Sequence, residues 1–239
     1  MNGSSAQALP AQACAVVIGA SGGIGGAVAE TLAASERYTK IFGFARSGRW
    51  AIDVTCEESV AAAAAQVVAT EMTVSLVFIA TGFLHDEELV PERSWRDLDT
   101  PYMQRAFLVN AIGPALVMKH FLPLLPPRGR SVCAALSARV GSIEDNRLGG
   151  WHSYRASKAA LNQLIRTCAI ELKRRQPEAI CVALHPGTVA TRLSQPFSKV
   201  GLEVQRPSEA ATRLLEVLDR LAPEDSGGFF DYSGARIPW

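Results

Sequence analysis

Apolar residues fall in short unbroken runs, separated by stretches in which they recur at helical spacing. Residues 13–18 form a run with no polar alternation, the pattern of a strand covered on both faces. Runs at 40–45, 74–80, 130–136, 179–184 and 228–232 predict five further strands. Between them, 22–34, 57–70, 102–121, 153–174 and 207–221 carry helical periodicity. Pro114 lies inside the 102–121 pattern and predicts that the helix is kinked or restricted there, because its ring removes an amide donor and crowds the preceding turn. Residues 85–100 are charge-rich, contain Pro91 and Trp95, and show neither period.

This alternation predicts an α/β fold: a Rossmann-like, doubly wound parallel β-sheet with helices on both faces, in a single domain. The domain is expected over 13–239, behind a flexible N-terminal tail at 1–12 and with a short substrate-lid segment at about 191–206. A chain of 239 residues buries enough surface to need no disulfide or metal staple.

Composition narrows the function classes. The formal net charge is +1, with acids and bases mixed along the chain. The short cluster of Lys173, Arg174 and Arg175 sits at a predicted helix end, where cations suit the helix dipole, so no nucleic acid is expected as a partner. Five cysteines (Cys14, Cys56, Cys133, Cys168 and Cys181) show no CxxC or Cys/His spacing. Reduced thiols, a cytoplasmic location and no metal site follow as expectations. The first dozen residues lack the basic start and apolar stretch of a signal peptide. No apolar run approaches the ~18 residues of a membrane span, so no membrane association is expected.

The first predicted strand runs into Gly19-Ala20-Ser21-Gly22-Gly23-Ile24-Gly25. A strand, a glycine-rich turn and a helix let backbone approach a pyrophosphate, with the N–H groups of the helix start facing the anion. An NAD site commonly places an acid about 20 residues further on, to take the ribose hydroxyls. Here that count reaches Ala45, followed by Arg46 and, nearby, Arg49. A guanidinium matches a 2′-phosphate, so NADP is expected in preference to NAD.

Tyr154 and Lys158 are four residues apart at the start of a predicted helix and share one face. A neighbouring ammonium favours phenolate; moving a tyrosine from about 10 to about 7 takes roughly 4 kcal/mol. A desolvated lysine acting with a cationic nicotinamide ring is the expected source of that lowering.

Taken together, the motifs Gly19-x-x-x-Gly23-x-Gly25, Asp53-Val54, Ala80-Thr81-Gly82, Asn110, Tyr154-x-x-x-Lys158 and Pro186-Gly187-Thr188 are similar in kind and order to those of the short-chain dehydrogenase/reductase family. The chain resembles that family over about residues 13–232. The resemblance implies a carbonyl–alcohol oxidoreductase with Tyr154 as general acid or base. Lys158 would hold the nicotinamide ribose and tune Tyr154, and Asn110 would support a proton-conducting water. Asp53 and Val54 would flank the adenine. Ala80, Thr81 and Gly82 would line the cofactor, where the family usually carries Asn-Ala-Gly. Pro186, Gly187, Thr188, Val189 and Thr191 would contact the nicotinamide, with Thr188 or Thr191 on its carboxamide.

The resemblance also implies a catalytic serine three residues before a glycine. Counting back from Gly141 reaches Ala138, with Ser137 one position earlier, where strand alternation points the other way. Either the strand end is bulged and Ser137 takes the role, or the serine is missing; Ser142 is a further candidate. Ser137 is taken as the catalytic serine.

The loop 140–151 and the tail 228–239 resemble the C-factor branch, which is linked with bacterial cell–cell signalling and has carbonyl-reductase relatives. That implies an alternative function, a signalling or regulatory protein that binds nicotinamide cofactor with little turnover. Leu193, Pro196, Phe197 and Val200, with Phe83, Trp151 and His152, suggest a small apolar carbonyl or alcohol as substrate, with His152 facing solvent. Family members usually pair through the two helices represented by 102–121 and 153–174, so a homodimer or homotetramer is expected.

Overall fold

A computed structural model describes residues 9–195 and 204–239. The strands are β1 (Ala13–Ile18), β2 (Lys40–Phe44), β3 (Thr73–Ile79), β4 (Ser131–Leu136), β5 (Ala179–His185), β6 (Thr188–Val189), β7 (Val204–Gln205) and β8 (Phe229–Asp231). The α-helices are α1 (Gly23–Ala34), α2 (Glu57–Val68), α3 (Thr100–Phe107), α4 (Gly113–Phe121), α5 (His152–Leu172) and α6 (Pro207–Arg220). Six strands form one sheet in the order β2-β1-β3-β4-β5-β8, all neighbours parallel. The order reverses at β1, and the carboxyl edge beside that switch is where ligands bind in such sheets.

Alternation along the strands builds two cores. Cys14, Val16 and Ile18 of β1 face α2, α4 and α5, while Ala15 and Val17 face α1 and α6. Phe42, Phe44, Phe121 and Phe229 are fully buried in the first core. Each such side chain contributes roughly 1.5–3 kcal/mol through burial. The expected fold and its helices on both faces are therefore present, with element ends differing by one or two residues.

Three local differences have physical causes. The expected 102–121 helix starts earlier, at Thr100, because the Asp99 carboxylate accepts from Tyr102 N at 2.9 Å and Pro101 suits the first turn. It is then interrupted by a π-helical turn over Leu108–Ile112, just before Gly113 and Pro114. The wider turn lies where Pro114 takes an amide donor out of the helical ladder. Secondly, within the expected tail Gln12 O accepts from Thr73 N at 3.0 Å and Ala11 O from Thr39 Oγ1 at 3.2 Å. Residues 1–8 and, in the expected lid, 196–203 lie outside the described residues. Thirdly, β6 and β7 pair in a separate two-stranded ladder that the sequence did not suggest.

Among the described residues, Thr100–Leu124 is one helical stretch long and apolar enough to cross a membrane by length and composition. This corrects the expectation that nothing approaches that length. Its inward residues Tyr102, Ala106, Val117, Met118 and Phe121 are buried in this fold, which accounts for the apolar composition.

Candidate active site

The carboxyl edge of the sheet opens into a cavity of about 680 Å³. Its first wall is the β1–α1 turn. Gly19 has φ +90°, and a Cβ there would stand 3.1 Å from the Ala80 carbonyl. A Cβ on Gly25 would meet Gly19 O at 2.3 Å, and one on Gly23 would meet Thr191 Cγ2 at 2.8 Å. These glycines are therefore required for closeness as well as for turning. Gly22 caps α1 with no side-chain hydrogen bond, so the helix start keeps N–H groups for a ligand. Ser21, Gly22, Gly23 and Ile24 line the cavity, while Gly19 and Gly25 lie beneath it, shaping the turn. A dinucleotide pyrophosphate fits this cradle.

The end of β2 lies beside the same turn: Gly19 N and Ala20 N both donate to Phe44 O at 2.9 Å. Arg46 follows, exposed, within electrostatic range of Asp53. The Asp53 carboxyl is held below its usual range, first by hydrogen bonds from Thr55, with smaller contributions from Arg105 and Arg46. Arg49 instead stacks on Trp50, 5.2 Å from the ring centroid. Val54 is buried against Gly113, where a Cβ would be 3.0 Å away. Arg46, Asp53 and Val54 thus lie past one end of the cavity, outside its lining.

Ala80, Thr81 and Gly82 leave β3 and form the floor. The Thr81 hydroxyl is buried without a hydrogen-bond partner, as a group awaiting a ligand would be. Asn110, in the π turn, is fully buried; its amide oxygen accepts from Phe83 N at 2.7 Å, and Nδ2 donates to Phe83 O at 2.8 Å and Ser157 Oγ at 3.0 Å. The π turn thereby joins the β3 loop to α5.

Tyr154 and Lys158 are buried on one face of α5 and line the same cavity as the glycine turn. Lys158 Nζ stands 5.9 Å from the Tyr154 ring centroid and donates to Leu136 O at 2.9 Å. Burial pushes the Tyr154 phenol well above its ordinary range and pushes Lys158 down to about 8. The expected lowering of the phenol is therefore not a property of the pair alone: desolvation outweighs the nearby amine.

Ser137 borders the cavity, but its hydroxyl donates to Asn162 Oδ1 at 2.6 Å. Asn162 Nδ2 donates in turn to Gly141 O at 3.3 Å. Ala138, in an extended conformation, borders the cavity beside Ser137. Ser142 lies elsewhere: it accepts from Asp145 N at 3.0 Å and donates to Trp239 O at 3.3 Å. Of the two serine candidates, Ser137 borders the cavity with its hydroxyl bonded to Asn162, and Ser142 does not line it.

The β5 end supplies Pro186, Gly187, Thr188, Val189 and Thr191 to the lining. Burial, followed by Arg139, pushes the preceding His185 down to about 4, and its Nδ1 has no hydrogen-bond partner. On the substrate side, Trp151 and Leu193 line the cavity with Leu84. Phe83 is buried instead with Tyr102 and Ala106. His152 is half-buried rather than turned to solvent. Pro196, Phe197 and Val200 lie outside the described residues.

Two neighbours of the site had no signal in the sequence. Asn162 could have been suspected only from its i+8 spacing to Tyr154. Glu92, in the charge-rich 85–100 segment, is buried against the start of α5. Its carboxylate accepts from Ser153 N at 3.2 Å and from the Ser153 hydroxyl, and its backbone oxygen accepts from Trp151 N at 2.6 Å.

A family model described as enoyl-(acyl carrier protein) reductase matches residues 6–219. The chain belongs to the short-chain dehydrogenase/reductase family. Like other members it is an oxidoreductase. Among relatives in the family, C-signal of Myxococcus xanthus is 39% identical over 145 residues, covering 60% of this chain and 82% of that protein. A 1-hydroxy-2-glutathionyl-2-methyl-3-butene dehydrogenase of Rhodococcus sp. (strain AD45) is 34% identical over 189 residues, covering 79% and 78%. The NADPH-bound carbonyl reductase from chicken fatty liver superposes with a TM-score of 0.84 at 26% identity, covering 99% of this chain and 97% of that one.

Proposed function

We propose that this family member is an NADP-dependent oxidoreductase interconverting a small carbonyl compound and its alcohol. The observation that carries the reading is that Tyr154 and Lys158 of α5 line the same cavity as the glycine turn. A bound nicotinamide supplies or accepts the hydride. Ser21, Gly22, Gly23 and Ile24 would hold the pyrophosphate, Asp53 and Val54 the adenosine side, and Arg46 the 2′-phosphate. Gly187, Thr188 and Thr191 would seat the nicotinamide ring. The NADPH held by the chicken carbonyl reductase supports a nicotinamide cofactor of this kind.

The buried phenol stays protonated at neutral pH, so Tyr154 is set to give a proton to the developing alkoxide. Lys158, brought down to about 8, sits near its own titration point and can replace that proton. Asn110 anchors the π turn beside Ser157, holding the path toward Lys158. Leu84, Trp151 and Leu193 favour an apolar substrate.

NADPH oxidation with a panel of carbonyl compounds, compared between wild type and Tyr154→Phe, tests this reading. Turnover falling by about 10²–10⁴-fold in the variant is expected. Unchanged turnover overturns the assigned acid.

A second reading is a signalling or regulatory protein that binds the cofactor with little turnover. It is favoured by the engagement of the Ser137 hydroxyl with Asn162 and by the similarity to C-signal. Tight NADPH binding without turnover across the panel would select it.

A further inference from the structure

Resting on the enzymatic reading of the Tyr154 site, we infer that Glu92 is a positioning residue for Tyr154. Helix α5 begins without a cap of its own, because its N-cap residue, Trp151, makes no side-chain hydrogen bond there. The chain approaches it through three consecutive left-handed residues, Gly149 (φ +63°), Gly150 (φ +65°) and Trp151 (φ +52°). For a tryptophan this conformation is unfavourable and must be held by its surroundings.

Glu92 does the holding, from a segment far away in the chain. It is 3% exposed, and both of its carboxylate oxygens face Ser153 N, at 3.3 and 3.2 Å. A carboxylate there meets an orphan donor of the first turn and the positive end of the helix dipole. The Glu92 backbone oxygen takes Trp151 N, so one residue fixes both the left-handed position and the first turn. Tyr154 is the next residue after Ser153. The Trp151 ring meets the Tyr154 ring edge-on, centroids 6.1 Å apart, and also lines the cavity. A displacement of the first turn therefore moves the phenol and the substrate wall together. It leaves the glycine turn, between β1 and α1, in place.

The experiment compares wild type, Glu92→Ala and Glu92→Gln by three readouts: kcat on the carbonyl panel, NADPH affinity by fluorescence titration, and amide exchange in peptides covering residues 149–157. For Glu92→Ala, kcat is expected to fall by about tenfold or more while the NADPH Kd stays within about twofold. Exchange at 149–157 is expected to speed up by about tenfold. Glu92→Gln keeps an oxygen for Ser153 N and is expected to restore kcat and protection to within about threefold of wild type.

Unchanged exchange and kcat in Glu92→Ala overturn the inference. So does a Gln variant as impaired as the Ala variant, or a loss of NADPH affinity as large as the loss of kcat. If Glu92→Ala does not fold, Glu92→Asp, one methylene too short, takes its place with the same expected ordering. If wild type turns over no carbonyl, the enzymatic reading fails, and the exchange measurement alone decides the role of Glu92.

Discussion

The hydroxyl of Ser137 donates to Asn162 Oδ1 across 2.6 Å at the strand end where Ser137 and Ala138 both border the Tyr154 cavity. Ser137 and Asn162 are buried at 4% and 3% exposure, so the bond is shielded from water. Two substitutions separate the roles of the neighbouring positions. Ala138→Ser adds a donor toward the substrate oxygen, and kcat for carbonyl reduction is expected to rise several-fold. Ser137→Ala leaves Asn162 Oδ1 unpaired and is expected to lower stability by about 1–3 kcal/mol in denaturant titration. A Ser137→Ala enzyme that keeps its stability but loses turnover would return the substrate role to Ser137.

Lys158 makes stability depend on pH. Its ordinary value is 10.5 and burial brings it to about 8 in the fold. Between these values the unfolded chain binds the proton and the folded chain does not, so stability from this group rises with pH across that window. Below about 8 the full penalty of a buried ammonium is present, roughly 3 kcal/mol. Replacing it with an uncharged chain of similar length, Lys158→Met, is expected to flatten the rise. The measurement is denaturant unfolding of both proteins from pH 7.5 to 10, read as a difference because the Cys14 and Cys181 thiols, raised in the fold, also make stability depend on pH. Parallel curves for the two proteins would show that Lys158 is not the cause.

Arg46 is exposed beside the glycine turn, with Asp53 close by. If it takes the 2′-phosphate, Arg46→Ala weakens NADPH by about tenfold or more, about 1.4 kcal/mol, and leaves NADH almost unchanged. Equal weakening of both cofactors, measured by fluorescence titration, would assign Arg46 to the turn and not to the phosphate. Because Arg46 is exposed, its attraction for the 2′-phosphate is screened, and high salt is expected to narrow the difference between the cofactors.

Much of the fold and part of the site were legible along the chain. Unbroken apolar runs such as 13–18 mark strands covered on both faces, and helical spacing marks the crossovers between them. The glycine turn and the Tyr154–Lys158 pair follow from spacings of a few residues, where geometry is nearly independent of the rest of the molecule. The π turn at Leu108–Ile112 was half legible, because Pro114 announces a disturbance but not its form.

Other features were settled only when distant segments met. The partner of the Ser137 hydroxyl is Asn162, 25 residues away on α5. The protonation of Tyr154 and Lys158 follows from how completely the assembled cavity removes water, a quantity with no local signature. The Glu92 carboxylate reaches Ser153 across 61 residues, out of a charge-rich segment that shows neither strand nor helix period. Local spacing determines what short stretches can become; desolvation and long-range hydrogen bonds exist only once the sheet and α5 have been brought together.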